Sequence, residues 1–302
     1  MNAKTIRMIA IALLLLLLPL LLSSPALAEG KKVLDLDHLT PGSVPLEEGF
    51  LSANEYKDDT IHVTWEEQTY NKQLCHIIRI KIEDPSQIRT CMSRDRYEDR
   101  AYVKAETMAE HVNAIAAVNG DFFKYYYDFG YVVRQGVEYR KACDGTRDVL
   151  LIDDMGDFHY VLMATNESLD AFLENEFPKD RKVINSFTFG PVLVIDGKPF
   201  TETITDLYQS RYKMQRAAIV QLDTLEYAIV EVDGKSDASY GMKMEDFGAY
   251  IAELFPDCRL AFNLDGGGST NVIFNNKRIH RNPDLRKISD ILYFASAHDA
   301  QE

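Results

Sequence analysis

Short apolar runs of β type recur along most of the 302-residue chain. They are CHIIRIKI (75–82), AIAAVNG (114–120), DVLLID (148–153), FHYVLM (158–163), VINSFTFG (183–190), PVLVIDG (191–197), AAIVQLD (217–223), YAIVEVDG (227–234), RLAFNLDG (259–266), NVIFNN (271–276) and DILYFAS (290–296). Several are joined by tight turns at Asp154 to Gly156, Asp196-Gly197 and Asn275-Asn276, which close antiparallel hairpins. YVVRQGVEYR reads as a further hairpin with Gln135-Gly136 at its tip. Helical spacing stands out in three stretches. Residues 102–112 carry Ala105, Met108 and Val112; residues 166–177, capped by Thr165 or Asn166, carry Leu169, Phe172, Leu173 and Phe177; residues 244–255 carry Met244, Phe247, Ile251, Leu254 and Phe255 and stop at Pro256. A regular strand–helix alternation is missing. The pattern predicts an α+β fold, a mixed and largely antiparallel twisted β-sheet core with a few flanking helices in a single domain.

The chain begins with a positively charged start (Lys4, Arg7), an apolar run from Met8 to Leu22 and a small-residue ALA ending at Ala28. Residues 1–28 therefore read as a cleaved secretory signal peptide. The run is shorter than the ~20 residues a span needs, and Pro19 interrupts it. The expected location is secreted or extracytoplasmic, membrane-tethered only if the segment is retained. Residues 29–74, Pro-, Gly- and acid-rich at their start, read as a leading arm, and 75–302 as the domain proper.

A formal charge of −14, more negative once Lys4 and Arg7 are removed, repels phosphate backbones and argues against a nucleic-acid partner. It does not forbid a local pocket for a small anion. The four cysteines, Cys75, Cys91, Cys143 and Cys258, have no CxxC or zinc-type spacing. Outside the cytoplasm one or two disulfides are expected, Cys75 with Cys91 closing the shortest loop; free buried thiols are the alternative.

Three strand ends share one design: an apolar run delivers an acid beside a glycine at Asn119-Gly120-Asp121, at Asp233-Gly234, and at Asp265 followed by Gly266, Gly267, Gly268, Ser269 and Thr270. A two-residue turn needs only one glycine, whereas three in a row cost strand stability, each ~0.5–1 kcal/mol relative to alanine. The triple glycine thus reads as a cradle, its amides from Gly266 to Ser269 forming an anion nest with the Ser269 and Thr270 hydroxyls. Asn263, on the strand entering this loop, joins the candidate substrate-binding residues with Asn119. Arg216, at the start of a strand, is the leading guanidinium for an anion, with Arg211, Lys213 and Arg286 competing. Ser186 and Thr188 alternate with Phe187 and Phe189, which puts the two hydroxyls on one face. The aromatic cluster FFKYYYDFG (122–130) follows Asp121 and suits either a sugar ring or ordinary loop packing.

Taken in order, AVNGDFF, SFTFGPVLVIDGK, QRAAIV, VEVDGKSDASYGMKMEDFGAYIAEL, AFNLDGGGSTNVIFNN and RKISDILYF resemble the phosphodiester glycosidase family over roughly Cys75 to Ser296. The resemblance implies hydrolysis of a sugar joined through its anomeric oxygen to a phosphodiester, with no cofactor or metal. The family's motif residues fall on Asn119, Asp121, Arg216, Asp265, Gly267, Ser269 and Thr270. Asp121 and Asp265 would supply the two carboxylates a glycosidase uses, and Arg216 would accept the charge that develops on phosphate. The partner is then a sugar phosphate or phosphorylated polysaccharide. Two other readings use the same residues: a non-catalytic exopolysaccharide or sugar-phosphate binding protein, and a metal-dependent phosphodiesterase in which Asp121, Asp233 and Asp265 chelate a hard cation.

Overall fold

The computed structural model describes residues 34–36, 40–99, 101–125, 128–205, 209–234, 236, 239–282 and 285–298. The expected signal peptide, 1–28, lies outside the described residues.

A nine-stranded sheet runs, in spatial order, through Phe50–Ser52, Glu55–Lys57, Ile61–Tyr70, Gln73–Ile82, Glu226–Val232, Arg216–Asp223, Leu260–Asn263, Val192–Ile195 and Lys198–Pro199. A five-stranded sheet runs Lys277–Arg278, Val272–Phe274, Ala114–Asn119, Asp290–Ala295 and Ile88–Met92. A three-stranded sheet places Asp148–Asp153 between Phe158–Val161 and Val183–Phe189, and Gly130–Arg134 pairs with Val137–Ala142 as a hairpin. Pairing between the described strands is antiparallel throughout. Among the described residues the α+β expectation, with a single domain and three helices, is met.

The apolar runs are continuous because they serve two cores at once. Along Arg216–Asp223, Ala217 and Ile219 face the central core while Ala218 and Val220 face a second one under the Met244–Leu254 helix. Along Ala114–Asn119, Ala116 and Val118 face the centre while Ala114 and Ala117 pack with the Ala105–His111 helix. Leu150 and Ile152 face the centre while Val149 and Leu151 pack with Leu169 of the Asn166–Asn175 helix. Each larger sheet thus carries one helix on its outer face, and the central core fills the space between the sheets.

The turns follow their residues. Asp196-Gly197 and Asn275-Asn276 all take positive φ (48°, 70°, 48° and 57°), the geometry of a two-residue hairpin matched to strand twist. Ser186 and Thr188 do share a face, and their hydroxyls accept the Val133 and Tyr131 amides at 2.8 Å each, stitching the Gly130–Arg134 hairpin onto the three-stranded sheet.

Two findings differ from the sequence reading. Ile61–Tyr70 pairs with Gln73–Ile82 residue for residue from Ile61↔Ile82 to Tyr70↔Gln73, so the sheet begins well before residue 75. The expected disulfide is absent: all four cysteines are buried free thiols. Cys91 packs in the core under the Ala105–His111 helix while Cys75 packs under the Met244–Leu254 helix, so the pair closing the shortest sequence loop is split between separate cores.

Candidate active site

Antiparallel register brings the strand-end loops together. Ala218 pairs with Asn263 and the Leu264 amide donates to Ala217 O at 2.9 Å, so the start of one strand, Arg216, lies beside the end of the next, Asp265. Asn119 ends a strand of the other sheet and clamps the two loops. Its Nδ2 donates to Asp265 O at 2.8 Å and its Oδ1 accepts the Asn271 amide at 2.9 Å. The Asp265 amide completes the clamp by donating to Gly120 O at 3.3 Å.

Between these loops lies a cavity of about 520 Å³, within the range of small-molecule sites. Its walls include Asn119, Asp121, Arg216, Asn263, Asp265, Gly266, Gly267 and Ser269. Gly268 and Thr270 do not line it, and Thr270 is fully buried behind it. The cavity is locally cationic in an acidic chain: Arg147, Arg216, Arg286 and Lys287 face two acids.

The two acids stand in unlike surroundings. Asp121 is buried and held by three donors: the Phe123 amide (3.0 Å) and Arg134 Nη2 (3.2 Å) to Oδ1, and the Thr188 amide (3.0 Å) to Oδ2. Asp265 is half-buried at the cavity wall. Desolvation pushes its carboxyl up to about 6, and the negative charge of Asp121 adds to this, while the Ser269 hydroxyl, Arg286 and the Gly266 amide pull the other way. Such a carboxyl changes charge near neutral pH, as acid–base catalysis requires.

Arg216 is buried and holds backbone carbonyls rather than carboxylates. Nε donates to Met242 O (2.8 Å), and Nη2 to Gln209 O (3.1 Å) and Tyr212 O (3.0 Å). Among the described residues no acid pairs with it. Desolvation lowers it to about 10, so it stays charged at neutral pH and is ready for an anion. Asn263 Nδ2 donates to Gly190 O at 2.8 Å, while its Oδ1, buried at the cavity, finds no donor among the described residues.

Two of the four amides expected to form a nest are already used inside the protein. The Gly267 amide donates to Gln215 O (3.1 Å) and the Ser269 amide to Gly266 O (3.2 Å). The glycines also serve close approach: Gly267 has φ +61°, and a Cβ there would meet Met214 Cε at 3.3 Å. Asp233 also lies apart from the cavity, so the trio Asp121, Asp233 and Asp265 does not assemble.

Sequence reasoning missed several wall residues. Arg286 competed on paper and does line the cavity, beside Lys287; Arg211 and Lys213 do not. Phe122 and Phe189 meet edge to face at 5.0 Å, with the Arg147 guanidinium 5.7 and 5.3 Å from their ring centres. Of the tyrosine cluster, Tyr125 lines the cavity, while Tyr126 and Tyr127 lie outside the described residues. Arg134, fully buried against the Phe187 ring at 4.5 Å, holds Asp121 from behind. The sequence signal available for it was an arginine flanked by buried apolar residues in YVVRQ.

Comparisons with known proteins agree with this architecture. The zebrafish N-acetylglucosamine-1-phosphodiester alpha-N-acetylglucosaminidase catalytic domain, auto-inhibited by its pro-peptide, superposes with a TM-score of 0.62 at 15% identity, covering 89% of this chain and 99% of that one. A hypothetical protein from Synechocystis superposes with a TM-score of 0.54 at 11% identity, covering 80% and 64%. At these identities the likeness is one of fold. The SPbeta prophage-derived uncharacterized protein YomE of Bacillus subtilis (strain 168) is 38% identical over 100 residues, 33% of this chain but only 15% of that protein. The phosphodiester glycosidase family model matches residues 112–295, a stretch that holds every cavity-lining residue named above. On that match, which spans more than half the sequence, the chain belongs to the phosphodiester glycosidase family.

Proposed function

We propose that this protein is a secreted hydrolase that cleaves a sugar from a sugar-1-phosphodiester in cell-envelope or extracellular glycans. The observation that carries the reading is the presence, in one cavity, of Asp265, whose carboxyl is pushed up to about 6, and of the Arg216 guanidinium, which pairs with no carboxylate among the described residues. Family membership supports the same class of reaction.

Asp265 acts at the anomeric carbon, either attacking it or activating water. Asp121 is committed to three donors, and from that fixed position its carboxyl group stabilises the cation-like sugar centre. The bond between C1 and the bridging oxygen breaks, that oxygen leaves with the phosphate monoester, and water supplies the new C1 hydroxyl. A phosphate monoester leaves readily, so the larger demand is charge acceptance, met by Arg216 with Arg286 and Lys287. The Oδ1 of Asn263, without a donor among the described residues, accepts from a sugar hydroxyl, and Phe122 and Phe189 offer ring surface to the sugar.

The test is turnover of sugar-1-phosphodiesters in ¹⁸O-water by the purified chain and by Asp265→Asn. Label in the sugar C1 hydroxyl, lost in the variant, is the expected result. Label in phosphate identifies phosphodiester cleavage instead, and affinity without turnover identifies a binding protein.

A further inference from the structure

We propose that His76, Glu231 and Asp233 bind one divalent cation of the zinc or manganese class, at a site outside the cavity. The backbone brings them together by simple rules. His76 and Glu231 are directly opposed on the paired strands Gln73–Ile82 and Glu226–Val232, so their side chains share a face, and Asp233, two residues on, returns to that face. One ligand atom from each lies within 4.8 Å of the others, and all three residues are completely buried. Outside this group, the wall residues of the cavity are different ones.

Glu231 is hydrogen-bonded to both His76 and Asp233, yet the imidazole leaves one nitrogen over. His76 Nδ1 faces Glu231 Oε2 at 2.8 Å. Its other nitrogen, Nε2, is buried and has no hydrogen-bond partner among the described residues, and it stands 3.4 Å from Glu67 Oε2. A metal-bound histidine characteristically turns its second N–H to a carboxylate, the place Glu67 occupies. Asn282 orients the set from the far side, donating Nδ2 to Glu231 Oε1 at 2.9 Å and accepting the Gly234 amide at 3.0 Å. Next to it, His280 Nε2 is a second buried nitrogen without a partner among the described residues.

Charge points the same way. Among the described residues no lysine or arginine pairs with Glu231 or Asp233. The Arg281 amide reaches Asp233 at 3.2 and 3.3 Å, but its guanidinium turns outward to Glu67 at 2.9 Å. One imidazole and two carboxylates form the nitrogen–oxygen donor set that suits Zn²⁺ or Mn²⁺.

The experiment titrates the full chain, stripped with a chelator and exchanged into metal-free buffer, with Zn²⁺ and separately with Mn²⁺, by calorimetry and by thermal unfolding. One saturable site and a raised Tm are expected. Asp233→Asn should abolish both effects, Asp265→Asn should preserve them, and Glu67→Gln, at the surface, should weaken binding about tenfold. A stripped chain that unfolds and regains its Tm on adding either ion also supports the site. The proposal is overturned if the folded, stripped chain takes up neither ion, or if Asp233→Asn, folded by circular dichroism, takes up the ion as the parent does.

Discussion

Arg134 Nη2 meets Asp121 Oδ1 at 3.2 Å from a position of complete burial, with Asp290 Oδ2 at 2.6 Å from the same nitrogen. One guanidinium therefore balances two acids, one of which faces the cavity. Burial pushes the Asp290 carboxyl up and Arg134 opposes that shift. Removing Arg134 strands both charges. We predict that Arg134→Met lowers stability by about 3–5 kcal/mol in urea unfolding. Adding Asp290→Asn to that variant should recover part of the loss, because the stranded charge is then gone. Additive losses in the double variant would contradict the arrangement.

Asp265 makes a distinct prediction about pH. Its folded carboxyl titrates near 6, above the unfolded value of 3.8, so between those values the native state holds more protons than the unfolded one. Stability contributed by this group is therefore present at low pH and declines as pH rises through that window. Asp265→Asn removes the decline: above pH 6 the variant should be more stable than the parent by about 1–2 kcal/mol, a few degrees in Tm, and the gain should vanish near pH 4. Its proposed glycosidase activity on sugar-1-phosphodiesters should nonetheless be lost, while the parent shows a limb in its pH–rate profile near 6. Thermal melts at the two pH values and initial rates across pH check both halves.

Arg216 is assigned to the phosphate, not to the sugar. Arg216→Ala should cut kcat/KM for a sugar-1-phosphodiester by about 10²–10³, the scale seen when one charge-accepting donor is removed. Cleavage of an aryl glycoside of the same sugar, whose leaving group carries no phosphate, should fall far less. Equal losses on the two substrates would place Arg216 in structural support of the loop, through Gln209, Tyr212 and Met242, and remove it from charge acceptance.

The thiols should be silent in the native protein. Burial raises Cys75 to about 12 and both Cys143 and Cys258 to about 11, and it also raises Cys91. A chromogenic thiol reagent should find essentially no reactive group before unfolding and four after it, and a reductant should leave Tm unchanged. A Tm that falls in reductant would reveal a bridge.

What the sequence made legible follows from how each segment is buried. Runs such as Ala217 to Val220 read as strands because alternate residues enter two different cores, leaving no polar face to confuse the pattern. Ile61–Tyr70 was harder to read, because beyond Ile61 and Val63 its residues are exposed or half-buried and mostly polar. The strand-end acids were readable because glycine beside an acid at the end of an apolar run marks close approach. What approaches is not encoded locally: at Gly120 a Cβ would meet the Asp290 carboxylate at 2.5 Å, and at Gly267 the side chain of Met214 at 3.3 Å. Arg286 and Lys287 reach the cavity on a segment without periodicity, so the fold is what separates Arg286 from the competing Arg211 and Lys213 and what reveals Lys287. His76 and Glu231 were hidden for a further reason, since charged residues inside a strand read as its solvent side until the sheet beyond them is known.

The cationic wall inside an acidic molecule shapes how an anionic ligand arrives. At long range the whole surface repels it; only within the mouth does the sign reverse. Dissolved salt screens charges across open solvent over about 8 Å at physiological strength and penetrates a walled recess far less. Added electrolyte should therefore remove the barrier to approach sooner than it weakens the grip, so that capture from a polyanionic matrix quickens as ionic strength rises, the reverse of ordinary electrostatic steering.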